Sequence, residues 1–256
     1  MKNMIKKLYY IIIINIIIII PVSAVFAENI TSIINAPTAF VNGFGGIDIN
    51  FETYIYDVNQ GTGAYNDGGM TANVSYGFTD MLNVGISVDV GDVNKTGLLA
   101  GPVDLRQPKI FAKMQLLTGT FSLAAGYDAQ GYRVYDSVTH SYEVTEKGYY
   151  AVVSKKNEVQ TSNSVINVTG GLNVPDFENF KLNGFFGIVI VLNEKLSMYA
   201  EYWGPSSDFF SVNGNFSIAA HIPVATESFG IDIGVKNIGK VNLSEFYIRC
   251  HLVKTM

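Results

Sequence analysis

Few residues in this chain of 256 carry nucleophilic, acid–base or metal-binding chemistry, and their spacing restricts what they do. The histidines are His140, His221 and His251, and the only cysteine is Cys250. A hydrolytic site needs a nucleophile held by a base, with a third group orienting that base. His140 stands beside Ser141 in "VTHSYE", but chain neighbours rarely form such a pair, so it reads as a solvated loop histidine. His221 borders a tight turn, and His251 is a lone candidate on a polar strand face. No His/Cys set has metal-ligand spacing. The glycine-rich "NGFGG" and "NDGG" lack the strand–loop–helix context of a phosphate loop and read as turns. No catalytic, cofactor-binding or metal-binding residue is assigned, no cofactor is expected, and the expectation is a protein that is not an enzyme.

The ionisable residues follow a different logic. Asp48, Glu52, Asp89, Lys109, Lys113, Asp128, Glu201, Asp232, Lys236, Arg249 and His251 all occupy the polar side of segments with period two. "YGFTDMLNVGISVDV" (residues 76–90) shows the pattern: after a break at Thr79-Asp80, Leu82, Val84, Ile86, Val88 and Val90 alternate with Asn83, Gly85, Ser87 and Asp89. Such alternation is a strand with one apolar and one polar face. Twelve segments of about this kind follow one another from Gly46 to Val253, of which "KLNGFFGIVIVL" is apolar on both faces and is not oriented by its periodicity. Phe111 is another exception, standing on a side otherwise occupied by Lys109, Lys113 and Gln115.

The connections alternate too. Those at "TD", "LTG", "KNEVQTS", "NEK" and "PVATES" are short, whereas 57–68, 91–106 and 129–147 are long. Short turns on one rim and longer loops on the other are the mark of outer-membrane barrels. With both termini on the tight rim the strand number is even. The expected fold is an all-β, transmembrane, antiparallel up-and-down β-barrel of about 12 strands, ten or fourteen also satisfying parity. Its charged positions would then line the lumen, either as a polar channel or as an ion-pair network that plugs and stiffens the barrel.

Residues 1–27 form a separate unit. Lys2, Lys6 and Lys7 precede an apolar run from Leu8 to Ile20, Pro21 ends it, and a cut after Ala27 completes the layout of a secretory signal peptide. The run is short for a membrane helix. Residues 28–45 read as a periplasmic lead-in, 46–253 as the barrel and 254–256 as a tail. Removing the three signal lysines from the 17 Lys+Arg leaves 14 against 22 Asp+Glu, a net charge of −8. Nucleic acid, which needs concentrated positive charge, is not an expected partner. One cysteine makes no internal disulfide, so an exported chain relies on its own hydrogen-bonded architecture.

A soluble β-sandwich also alternates. Charged residues make up only 15% of the chain, below the roughly 25% of soluble domains, and the apolar positions of the clean segments carry no charge. Aromatic residues gather toward segment ends at Tyr54, Tyr56, Tyr76, Phe78, Tyr149, Tyr150, Tyr202, Trp203, Phe209 and Phe210, where interfacial girdles would sit. In order and spacing, "NAPTAF", "GIDINFETY", "GGMTANVSYGFTDMLNVGIS", "QPKIFAKMQLL", "LAAGYDAQGY", "YYAVVSK", "GFFGIVIVLNEKLSMYAEYW" and "IDIGVKNIG" resemble stretches of the YjbH-like group of bacterial outer-membrane β-barrel proteins. The resemblance spans about residues 36–240 and implies a barrel with a link to exopolysaccharide export or the cell envelope. Full YjbH proteins are considerably larger, and this chain ends Lys254-Thr255-Met256 rather than on the aromatic residue common to barrel chains.

The functional expectation is a non-enzymatic outer-membrane barrel that is a narrow channel or an envelope or exopolysaccharide-export accessory. Its expected partners are outer-membrane lipid, the barrel-assembly machinery, and a small polar solute or polysaccharide. The rivals are a lipid-modifying barrel enzyme and a soluble periplasmic β-rich binding protein.

Overall fold

The computed structural model describes residues 32–60, 63–91, 104–106, 108–129, 132–136, 141–144, 147–159, 164–175, 182–192, 196–205, 214–224, 226–238 and 244–254. The signal segment, residues 28–31, His140, Phe209 and Phe210 lie outside them. The strands are β1 (Ile47–Gln60), β2 (Gly63–Thr79), β3 (Leu82–Gly91), β4 (Asp104–Leu105), β5 (Lys109–Leu117), β6 (Ser122–Asp128), β7 (Tyr132–Asp136), β8 (Ser141–Val144), β9 (Gly148–Val159), β10 (Ser164–Val174), β11 (Asn183–Leu192), β12 (Leu196–Pro205), β13 (Asn215–Val224), β14 (Thr226–Ile238) and β15 (Glu245–Lys254).

Twelve of these strands pair antiparallel with their sequence neighbours, and β1 closes the ring on β15 from Ile47↔Lys254 to Tyr56↔Glu245. The fold is therefore a closed twelve-stranded antiparallel barrel. Closure removes the free edges that an open sheet would leave unpaired. The remaining three strands belong to the loops: β4 extends β3 through Val90↔Leu105, and β7 and β8 form a hairpin between β6 and β9.

The two rims differ as the alternation of connections predicts. The β2–β3 turn at Asp80-Met81 and the β5–β6 turn at 118–121 share a rim with the start of β1 and the end of β15. The long connections lie opposite. One of them is shorter than its sequence suggests: 57–68 is not a loop, because β1 and β2 stay paired out to Gln60↔Gly63. That extension carries polar residues at successive positions, so it has no period-two apolar signal to be read.

Outward faces are apolar. Val74, Val84, Ile86, Ile110, Met114, Val153, Leu172, Met198, Ile218 and Ile233 are all exposed, Ile110 by 64% and Ile86 by 46%. The same strands bury small and polar residues inward: on β3, Asn83, Ser87 and Asp89 are 3%, 1% and 1% exposed. The polarity of a soluble protein, apolar inside and polar outside, is thus inverted.

The largest departure concerns the lead-in. Residues 28–45 are expected to lie outside the barrel in the periplasm, but residues 32–42 run inside it, and Gly43 and Phe44 are exposed at the rim. Ile33, Ile34, Ala36, Ala39 and Val41 are each 2% exposed or less, buried within the lumen. The physical reason is size: twelve strands enclose a space that inward side chains alone do not fill, unlike eight. An apolar N-terminal stretch that would be costly in water fills that space.

Candidate functional site

The site is the lumen and the segment inside it, and it is built from the turn rim upward. Gly43 to Gly46 form a turn in which Gly46 N–H donates to Gly43 O (2.9 Å) and Gly45 carries a φ of 76°. The turn is fastened to β2, where Gly45 N–H donates to Gly77 O (2.8 Å) and Gly77 N–H to Gly46 O (2.7 Å). A Cβ on Gly77 would stand 2.9 Å from Asn42 O, so only glycine permits this approach. Phe44 N–H donates to the Asp80 carboxylate in the β2–β3 turn (3.0 Å).

From there the segment crosses the lumen. Ala39 N–H donates to Ser154 Oγ on β9 (2.8 Å), and that hydroxyl also pairs with Thr169 Oγ1 on β10 (2.7 Å). Lys113 Nζ on β5 donates to Thr38 O (3.4 Å). The chain then turns back on itself, Ile33 N–H donating to Ala36 O (2.9 Å). At this turn three consecutive backbone N–H groups, of Ile34, Asn35 and Ala36, donate to one oxygen, Glu201 Oε2 on β12, at 3.1, 2.8 and 2.9 Å. Three N–H dipoles converging on a carboxylate form an anion nest, and charge-assisted bonds of this type are about twice as strong as neutral ones. Arg249 on β15 caps the arrangement by donating to Ile34 O (2.7 Å).

Apolar contacts complete the seat. Ile33 and Ile34 pack with Tyr54, Val189, Tyr199, Ala219 and Tyr247, while Ala36 and Ala39 pack with Ala124, Tyr150, Val152 and Phe185. Phe185 stacks on Trp203 at 4.8 Å. Gly187 is the floor under Ile33, since a Cβ there would overlap Ile33 Cδ1. This explains why β11 is apolar on both faces: Phe185, Gly187 and Val189 point inward, to a protein segment rather than to water. It also corrects three of the girdle assignments, because Tyr54, Tyr150 and Trp203 face inward, whereas Tyr76, Phe78 and Tyr149 are exposed on the outer face.

The charged positions read from the sequence fall on the inward face. Asp48, Glu52, Asp89, Lys113, Glu201, Asp232, Lys236 and Arg249 are buried, and Lys109, Asp128 and His251 are half-buried. They do not form one cluster. At mid-height Glu52 accepts from Lys236 and from Arg249 (2.7 and 3.0 Å), Lys236 also reaches Glu245 (3.3 Å), and Arg249 reaches Asp232 (3.6 Å). Lys236 Nζ lies 4.6 Å from the centre of the Tyr247 ring, a cation–π contact. Toward the turn rim His221 Nδ1 pairs with Asp232 (2.6 Å) and His251 Nε2 with Asp48 (3.0 Å), the two rings meeting edge-on at 6.2 Å. Toward the loop rim Asp89 receives Arg106, Tyr54 Oη (3.1 Å) and Thr71 Oγ1 (3.3 Å), and Asp128 pairs with Lys147 at 2.7 Å.

Arg106, Lys147 and Glu245 thus join the lumen without having been singled out, and His221, read as bordering a tight turn, joins it too. Glu245 opens the last strand on the side shared with Arg249, so alternation alone marks it. Arg106 and Lys147 stand in connections, where no periodicity assigns a direction. Among the described residues no three His, Cys, Asp or Glu side chains gather as a metal site requires.

Between the segment and the wall of β1, β2, β3 and β5 a cavity of about 150 Å³ remains, lined by Asn35 and Pro37 on one side and Asn50, Asn73, Asn83 and Lys113 on the other.

No protein-family model matches the chain, and no curated protein matches it. Among solved structures, the chain is similar to an outer membrane channel from Pseudomonas putida F1, at 10% identity and a TM-score of 0.47 over 84% of this chain and 97% of that one. It is also similar to the Acinetobacter baumannii outer membrane protein Omp33, at 13% identity and a TM-score of 0.43 over 81% of this chain and 97% of that one. At these scores the functional reading rests on the barrel's own residues.

Proposed function

We propose that this chain is an integral β-barrel of a bacterial outer membrane, a narrow channel occluded at rest by residues 32–42, and that it is not an enzyme. One observation carries the reading: a closed ring presents exposed apolar side chains outward and buried ionic and amide groups inward. Only lipid on the outside and water or protein on the inside satisfy both faces at once. A soluble binding protein would leave this outer belt in water. For the enzymatic rival, the inward histidines His221 and His251 are held in ion-pair geometry by the carboxylates of Asp232 and Asp48.

Outer-membrane fractionation with heat-modifiable migration in detergent gels tests the barrel, and recovery in the soluble periplasmic fraction would refute it. Planar bilayer recordings test the channel: the wild type is expected to conduct weakly, and weakening the Glu201 anchor to raise the conductance. Unchanged lipid A and phospholipid profiles on overexpression are expected if no lipid chemistry is performed.

A second reading, a structural or export accessory of the envelope, is favoured by how completely the segment and the ion pairs fill the lumen. The link to exopolysaccharide export implied by the sequence resemblance belongs to it. It predicts unchanged conductance when the segment is freed, and altered polysaccharide export on deletion of the protein.

A further inference from the structure

The segment divides the lumen into two unlike halves. On the side of β9 to β13 its isoleucines and alanines pack against Val152, Phe185, Val189 and Tyr199, and its N–H groups are taken up by Ser154 and Glu201. On the side of β1 to β5 it meets amides, hydroxyls and charges, and the cavity of about 150 Å³ stays open. One water needs about 10–15 Å³ of such space, so this cavity is well above the size of a single bridging-water site.

The chemistry of the lining selects what else fits. The register sets Asn50 directly opposite Asn73 on β1 and β2, and Asn83 directly opposite Lys113 on β3 and β5. Directly opposed residues on one sheet face lie about 5 Å apart, so these side chains form two short polar rows. Asn83 Oδ1 is buried with no hydrogen-bond partner among the described residues, although its side chain borders the cavity. An amide acceptor left unpaired in a buried site is costly and calls for a donor. Asn50 donates to Asp48 (2.9 Å), leaving its own oxygen to accept. Three aromatic rings border the cavity, Tyr54, Tyr150 and Phe111, and Phe111 lies over Gly85, where a Cβ would overlap the ring.

Of the charges bordering this space, Glu52 is matched by Lys236 and Arg249, Asp128 by Lys147, and Asp48 by His251 and Asn50, while Lys113 donates to Thr38 O. An incoming ion would have to compete with one of these contacts. A neutral solute bearing several hydroxyls would not, and each hydroxyl both donates and accepts, as side-chain amides require. We propose that the cavity beside the lumenal segment is a binding subsite for a small neutral polyhydroxylated solute of monosaccharide size, hydrogen-bonded by Asn50, Asn73 and Asn83 with its C–H face on Phe111. The proposal deepens the channel reading by naming the solute class that the open half of the lumen takes.

The test is equilibrium titration of the purified, detergent-folded full chain with glucose, and separately with gluconate, a charged probe of similar size. Saturable glucose binding is expected, with gluconate at least tenfold weaker. The Asn73→Leu/Asn83→Leu double variant should weaken glucose binding at least tenfold. The single variant Asn73→Leu, at a half-buried position, should weaken it severalfold should the double variant not fold by heat-modifiable migration. Asn167→Leu, also inward and buried but on β10 away from this cavity, should leave binding unchanged. Absence of saturable glucose binding, tighter binding of gluconate, or equal losses in Asn167→Leu and Asn73→Leu would each overturn the proposal. Binding in detergent requires no conduction, so a barrel that binds glucose yet passes no current refutes the channel alone.

Discussion

Glu201 shows how much one side chain decides in this lumen. Its Oε2 is the shared acceptor for three N–H groups, and two of their residues, Ile34 and Ala36, are fully buried. Each buried donor left without a partner costs about 1–3 kcal/mol. Glu201→Ala is therefore expected to weaken seating of the segment by about 3 kcal/mol or more, roughly a hundredfold in the population of the unseated state. Hydrogen exchange at the amides of residues 34–36 reads this directly, and unchanged protection would show that packing alone holds the segment. Glu52 poses the opposite problem, since it stands between Lys236 and Arg249. A buried pair is not by itself a gain over apolar packing, but removing one partner strands the other, at about 3–5 kcal/mol. Glu52→Leu should lower the midpoint of denaturant unfolding accordingly, and a variant as stable as the wild type would mean that water reaches both cations.

At the scale of elements, β3 separates the lipid reading from any soluble one. Ile86 points outward and Ser87 inward, one position apart. Lysine at a lipid-facing position near the bilayer midplane costs about 2–4 kcal/mol, whereas the surface of a soluble protein accepts it freely. Ile86→Lys should thus impair folding into lipid vesicles far more than Ser87→Ala, and equal folding yields would count against a lipid-facing belt. This strand was legible because its apolar face meets one solvent and its polar face another. Periodicity identified the strands of the ring for the same reason, and the alternation of short and long connections gave their even number. It gave no orientation for β11, whose inner face meets Ile33 rather than water, and it gave no destination for residues 32–45. The signal that joins the two was present: an apolar inner face on one strand, and Ile33, Ile34, Ala36, Ala39 and Val41 on a stretch without strand periodicity. Each makes sense only with the other. Gly187 is where they touch, so Gly187→Val should expel Ile33 while leaving the outer face intact. Faster hydrogen exchange at the Ile33 and Ile34 amides in that variant reports the expulsion, and unchanged protection would place Ile33 elsewhere.

At the scale of the molecule, the barrel resolves a conflict of size. Twelve strands enclose more volume than a small barrel fills with side chains, yet less than an open porin. The chain supplies the missing filler itself, anchored at the turn rim by Gly43 to Gly46 and Asp80, and at mid-height by Ser154, Glu201 and Arg249. Around that filler, carboxylates of the wall stand in ion pairs with lysine, arginine and histidine side chains. If the barrel is a lipid-spanning pore closed by this segment, removing the segment must open it. The decisive experiment is single-channel recording of the wild type against a chain lacking residues 33–41, each first shown to be a heat-modifiable barrel. Small or rare openings are expected for the wild type, and a steady conductance several times larger for the deletion. Equal conductance in the two, or none in either, would contradict a pore closed in this way.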